Sequence, residues 1–184
     1  MTFQEKTSIA LIRLFVRPAL RNHSVSFRTE LRKAKRVLVC CPQDENLFSK
    51  RSPIAELVRL FPRDELVLLG PDLPADRSRN PAGSIIDHPP MAFPDLPNHR
   101  FWAMRRSRSL ASFSNNSFDL LIDLDPEPNL LHFYLCRVLK SSIRIGFEKP
   151  YGSVFYNVQY NTRSSTTRET LLKNLVRFLQ NVRS

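Results

Sequence analysis

Val37-Leu38-Val39-Cys40-Cys41 is an unbroken apolar run stopped by Pro42, the pattern of a strand buried on both faces. After the polar stretch Pro42-Gln43-Asp44-Glu45-Asn46, the residues Ile54, Leu57, Val58, Leu60 and Phe61 recur at helical spacing and end at Pro62. Glu65-Leu66-Val67-Leu68-Leu69 then predicts a second strand, closed by Gly70-Pro71. Strand, helix and strand in this order form the βαβ unit of a parallel sheet. The same grammar returns later. Phe118 to Leu124 reads as a strand, Asn129 to Lys140 as a helix, Ile143 to Phe147 as a strand, Val154 to Tyr160 as an extended piece, and Thr167 to Val182 as a closing amphipathic helix. Phe101 to Phe113 reads as one helix, while 71–99 is Pro- and Asp-rich loop with a short strand at Ser84-Ile85-Ile86.

At the N-terminus, Ile9, Ile12, Val16 and Leu20 lie at helical spacing among Lys6, Arg13, Arg17 and Arg21, so Thr7 to Leu20 predicts a basic amphipathic helix. Such a helix lies in a membrane interface or packs on its own domain or a partner. Asn22 to Lys35 is a polar connector, partly helical. The pattern divides the chain into 1–35, helix and connector, and 36–184, a Rossmann-like α/β domain whose mainly parallel sheet is flanked by helices.

Charge sharpens this picture. The formal net charge is +11, and the first 36 residues hold nine basic and two acidic side chains. That excess points to an anionic partner. Arg100, Arg105, Arg106 and Arg108 make a second basic patch. Phe101, Trp102 and Phe113 interleave with it, but no nucleic-acid motif accompanies them, which disfavours nucleic acid. No apolar run reaches the ~20 residues of a membrane span, and Arg13 and Arg17 interrupt the opening apolar stretch, which argues against a signal peptide and for a cytoplasmic protein. Three cysteines, Cys40, Cys41 and Cys136, lack paired spacing and read as buried thiols of a reducing compartment.

Candidate chemistry is sparse. Four glycines, Gly70, Gly83, Gly146 and Gly152, build neither G-x-G-x-x-G nor a P-loop, so no nucleotide cofactor is expected. His23, His88, His99 and His132 are scattered, and no metal is expected. Ligands of open α/β sheets bind beyond the carboxyl ends of the strands. There Asp44 and Glu45 follow the first strand and are the candidates for proton abstraction. Asp123, Asp125 and Glu127 gather at the end of a later strand, as a metal site or acid/base pair would require. The blander reading, which we favour, is a strand-end turn with an Asp capping the next helix.

With these elements placed, the chain from Arg36 to about Val182 resembles the N-terminal domain of family 9 glycosyltransferases, the lipopolysaccharide heptosyltransferase type. The matching pieces are VLVCCP, SPIAELVRLFP, ELVLLGP, FDLLIDLDPEPNLLHFYL and RIGFEKPYGSVFYN, in that order. The resemblance implies one half of a GT-B fold and a role in cell-envelope or lipopolysaccharide glycan assembly. Family members carry a Gly-Asp pair whose carboxylate serves as base. Alignment on Pro53 puts Asn46 and Leu47 there, and leucine takes no proton. The sequence also stops where the linker to the donor-binding domain would begin. Together these imply a relative without autonomous transfer activity, with Arg13, Arg17, Arg105, Arg106 and Arg108 against an anionic membrane surface or lipid A phosphates and a separate protein supplying the donor-binding domain. The alternative is a non-enzymatic binding or assembly subunit docking through its basic N-terminal helix. Location at the inner face of the cytoplasmic membrane follows from the first reading.

Overall fold

A computed structural model describes residues 3–15, 26–42, 53–61, 66–70, 101–161 and 167–183. The helices are α1 (Phe3–Phe15), α2 (Phe27–Lys33), α3 (Pro53–Val58), α4 (Phe101–Arg106), α5 (Arg108–Ser114), α6 (Leu130–Val138), α7 (Gly152–Phe155) and α8 (Arg168–Arg183). The strands are β1 (Val37–Cys40), β2 (Leu66–Leu69), β3 (Ser117–Asp123), β4 (Lys140–Phe147) and β5 (Val158–Tyr160). They form one sheet in the order β2-β1-β3-β4-β5, every neighbouring pair parallel. The chain is thus an α/β protein with a Rossmann-like, fully parallel sheet.

Both faces of this sheet are covered, which is why its strands read as continuous apolar runs. On one face Val37, Val39, Cys41, Leu120, Ile122, Ile143 and Ile145 pack with Leu31 of α2, Ile54 and Leu57 of α3, and Leu172, Leu175 and Leu179 of α8. On the other, Leu38, Cys40, Phe118 and Leu121 pack with Ile9 and Ile12 of α1, Phe101 and Met104 of α4, Leu110 of α5, and Leu131, Phe133 and Leu135 of α6. Cys40 and Cys41 therefore point to opposite faces, as alternation along a strand requires. Burial pushes the Cys40, Cys41 and Cys136 thiols upward, so they stay protonated and unreactive. The start of β1 is fastened from β3: Asp119 Oδ2 accepts the amides of Lys35 and Arg36 at 2.9 and 3.0 Å.

Several boundaries differ from the sequence reading. The N-terminal helix spans Phe3–Phe15, and its buried Ile9 and Ile12 pack it on its own domain. Val16 to Leu20, and the strand expected at Ser84–Ile86, lie outside the described residues. The helix expected over Phe101–Phe113 is two, because Ser107 intervenes and its Oγ accepts the Leu110 amide at 3.0 Å, starting a new helix. The extended piece expected over Val154–Tyr160 is α7 followed by the short β5. Tyr151 there adopts a left-handed backbone, φ 66°, at the turn into α7. Asn157 then takes over edge pairing with β4, accepting the Arg144 amide at 2.7 Å and donating to the Ser142 carbonyl at 2.9 Å. Among the described residues, no helix is long and apolar enough to cross a membrane.

Candidate functional site

The strand order reverses at β1: β2 lies on one side and β3 on the other. In doubly wound sheets the ligand site lies beyond the carboxyl ends of the strands at such a switch point. Here that places the end of β1 beside Asp123, since Cys40 is in register with Asp123. The loop after β3 and the turn after β4 meet at this edge.

Asp123, the last residue of β3, is fully buried and is the hub of the meeting. Its Oδ1 receives His132 Nδ1 at 2.8 Å and the Asp125 amide at 2.9 Å. Its Oδ2 receives Lys149 Nζ at 2.8 Å and the Tyr156 hydroxyl. Burial alone would push this carboxyl up, but the charges of His132 and Lys149 and their hydrogen bonds prevail and hold it well below the usual carboxylate range. An ionised carboxylate only accepts, so His132 Nδ1 must carry the proton it shares with Asp123. Burial, followed by the Asp123 charge, pushes the Tyr156 hydroxyl well up, so it remains a donor.

Lys149 is equally committed. Its ammonium donates to Asp123 Oδ2, to the Asp125 carbonyl at 2.6 Å and to the Glu127 carbonyl at 3.1 Å, using all three protons. It also lies 5.5 Å from the Phe133 ring centre and 5.3 Å from that of Tyr156. One lysine thereby joins the β4–α7 turn to the β3–α6 loop. Asp125 closes that loop, accepting the Glu127 amide at 3.1 Å and Asn129 Nδ2 at 3.4 Å. The residue capping α6 is Asn129, whose Oδ1 accepts the amides of Leu131 and His132, and not an aspartate as the sequence suggested. Asp123 is bound instead to His132, Lys149 and Tyr156, buried partners that the local sequence does not display.

The arrangement leaves Asp123 with four donors on its two oxygens and no room to receive a substrate proton. It positions the loop that borders the switch point. Asp125 is likewise held by its turn. Asp44 and Glu45, the sequence candidates for a base, lie outside the described residues, as does Arg17. Arg13, Arg105, Arg106 and Arg108 are exposed, on α1, α4 and α5, and make none of the contacts of this carboxylate cluster described above. Among the described residues no group of three or more His, Cys, Asp or Glu is placed to hold a metal ion.

Sequence reasoning missed His132, Lys149 and Tyr156. A signal was present: an acid ends an otherwise apolar strand and must be buried, and a buried carboxylate needs buried partners. His132 sits within the apolar face of α6, and Lys149 follows the apolar β4 by two residues.

Gly146 belongs to this site by proximity. A Cβ there would lie 2.8 Å from three ring atoms of Tyr156, which is buried and anchored to Asp123. Gly146→Ala must move that ring, and overpacking of this kind costs about 1–3 kcal/mol. Thermal unfolding should show a lowered midpoint, and Tyr156→Phe combined with Gly146→Ala should not restore it, because the clash is with the ring and not the hydroxyl.

Comparison with protein-family models, with curated proteins and with solved structures finds no match for this chain.

Proposed function

We propose that this chain is a family-9-glycosyltransferase-like domain of cell-envelope or lipopolysaccharide glycan assembly, which holds a phosphorylated acceptor and does not carry out transfer by itself. The resemblance implies a Rossmann-like half of a GT-B fold, and a doubly wound parallel sheet is consistent with it. Its two longest matched stretches, FDLLIDLDPEPNLLHFYL and RIGFEKPYGSVFYN, are the segments that carry Asp123, His132, Lys149 and Tyr156.

The observation that supports this reading is the saturation of Asp123, which takes that carboxylate out of the candidates for a base. A general base needs an oxygen free to approach the acceptor hydroxyl within hydrogen-bond reach. Both oxygens of the carboxylate at the switch point are already committed to His132, Lys149, Tyr156 and a backbone amide. Leu47, aligned with the family's base, adds no replacement.

Calorimetry of the purified chain against a panel of nucleotide-sugars that includes ADP-heptose tests this reading. The expected result is no saturable heat with any donor. Saturable donor binding with turnover of a lipid A core acceptor, abolished by replacing residues Gln43–Asn46, would show a self-sufficient enzyme with its base in that loop.

A further inference from the structure

The second feature lies on the α1, α4 and α6 side of the sheet. The large hydrophobic residues exposed among the described ones are Leu14 at 75%, Phe15 at 60%, Trp102 at 52% and Tyr151 at 37%. Three of these four are on α1 and α4. The opposite layer, α2, α3 and α8, exposes no large hydrophobic side chain among its described residues. The apolar exposure is therefore one-sided.

These helices are also basic, as is the opposite layer, so it is the apolar exposure that distinguishes this face. Within α1, α4 and α5 the sequence has five basic residues and one acidic. The Arg137 guanidinium of α6 donates to the Arg13 carbonyl at 3.0 Å, which fixes the end of α1 that bears Leu14 and Phe15 on α6. Helix α4, which bears Arg105, packs against both α1 and α6. The Arg105 guanidinium in turn lies 5.9 Å from the Trp102 ring centre. Arg13 and Arg105 thus lie on neighbouring helices, each beside exposed apolar side chains.

Ile9 and Ile12 are spent on the domain's own core, so α1 has no second apolar face with which to leave it. What it offers outward is its C-terminal end. Exposed Trp, Phe and Leu beside arginines match a bilayer interface, where aromatic rings sit at headgroup depth and guanidinium groups meet lipid phosphates. Each basic side chain near an anionic leaflet adds roughly a fivefold increase in partitioning.

We propose that Leu14, Phe15 and Trp102, with Arg13, Arg105 and Arg106, form a surface by which the folded domain sits on an anionic phospholipid membrane. This surface stands on exposure and charge alone, and is independent of whether the domain serves a glycosyltransferase.

Trp102 is the only tryptophan of the chain and reports directly on the proposed contact. Added to the full chain at low ionic strength, phosphatidylcholine–phosphatidylglycerol vesicles should shift its emission to the blue, shield it from acrylamide and sediment the protein. Vesicles of phosphatidylcholine alone should do none of the three. Salt at 1 M, where the screening length is about 3 Å, should release the protein. Arg105→Ala/Arg106→Ala should weaken partitioning about thirtyfold with an unchanged circular dichroism spectrum, and Arg105→Lys/Arg106→Lys should retain it. Leu14→Ser/Phe15→Ser should reduce binding while leaving its salt dependence in place. An unshifted Trp102 with the anionic vesicles overturns the proposal. So does saturable binding of a single-stranded oligonucleotide by a protein that ignores vesicles, which would make this face a nucleic-acid surface. The wild-type emission and salt titration decide the matter even if a variant fails to fold.

Discussion

Asp123→Asn is expected to lower the free energy of unfolding by about 3–5 kcal/mol, the cost of leaving a buried charge without its counter-ion. The substitution keeps shape and volume but replaces one accepting oxygen by a donating amide. Of the four donors that converge on Asp123, only those on the remaining oxygen keep an acceptor. Lys149 suffers most, because its buried ammonium exchanges a charged partner for at best a neutral amide oxygen. The loss should appear as a lowered urea midpoint at neutral pH with an unchanged slope. A loss below about 1 kcal/mol would mean that solvent reaches the cluster.

The second large effect is acid sensitivity. Burial favours the neutral form of Asp123, but the His132 and Lys149 charges and hydrogen bonds outweigh it, so the folded carboxyl titrates well below the unfolded value of about 3.9. A depressed folded pKa means that the unfolded chain takes up the proton first as pH falls. The stabilisation is complete above the unfolded pKa and is lost as pH falls through that value towards the folded one. For one proton the slope reaches about 1.4 kcal/mol per pH unit. Wild-type stability should therefore fall more steeply than that of Asp123→Asn between about pH 4 and pH 2, and the two curves should converge. Parallel curves over that window would show that Asp123 is not held ionised by its partners.

The sheet was legible because its strands are buried on both faces. Such strands appear as the unbroken runs Val37–Cys41 and Leu66–Leu69, and tertiary context had little to override. Helices α6 and α8 were equally plain from their apolar stripes. Short elements were not. Nothing in the apolar spacing of 101–113 marks the break at Ser107, which depends on a side-chain hydroxyl competing for a backbone amide. The α7 turn was hidden because Tyr151 takes a left-handed backbone without being glycine.

The site was half legible. Asp123 was found as a strand-end acid, and its position beside β1 follows from the sheet order. Its partners come from segments 9, 26 and 33 residues downstream. No spacing rule links such residues, since α6 and β4 intervene and only the folded parallel sheet brings the β4–α7 turn against the β3–α6 loop. The basic residues were named from the sequence, and Trp102 among them as an interleaved aromatic, but the exposure of Leu14, Phe15 and Trp102 was not. Exposure is a property of packing that helical spacing alone does not assign.

The most direct test of Asp123, His132, Lys149 and Tyr156 as one closed buried cluster is a double-mutant cycle between Asp123 and Lys149. Urea unfolding would be measured for the wild type, Asp123→Asn, Lys149→Met and the double variant. Removing both charges leaves neither uncompensated, so the double variant should be less damaged than the sum of the singles, with a coupling of about 1–3 kcal/mol. Additivity to within about 0.5 kcal/mol would contradict a closed cluster and return Asp123 to the pool of carboxylates free to act on a substrate.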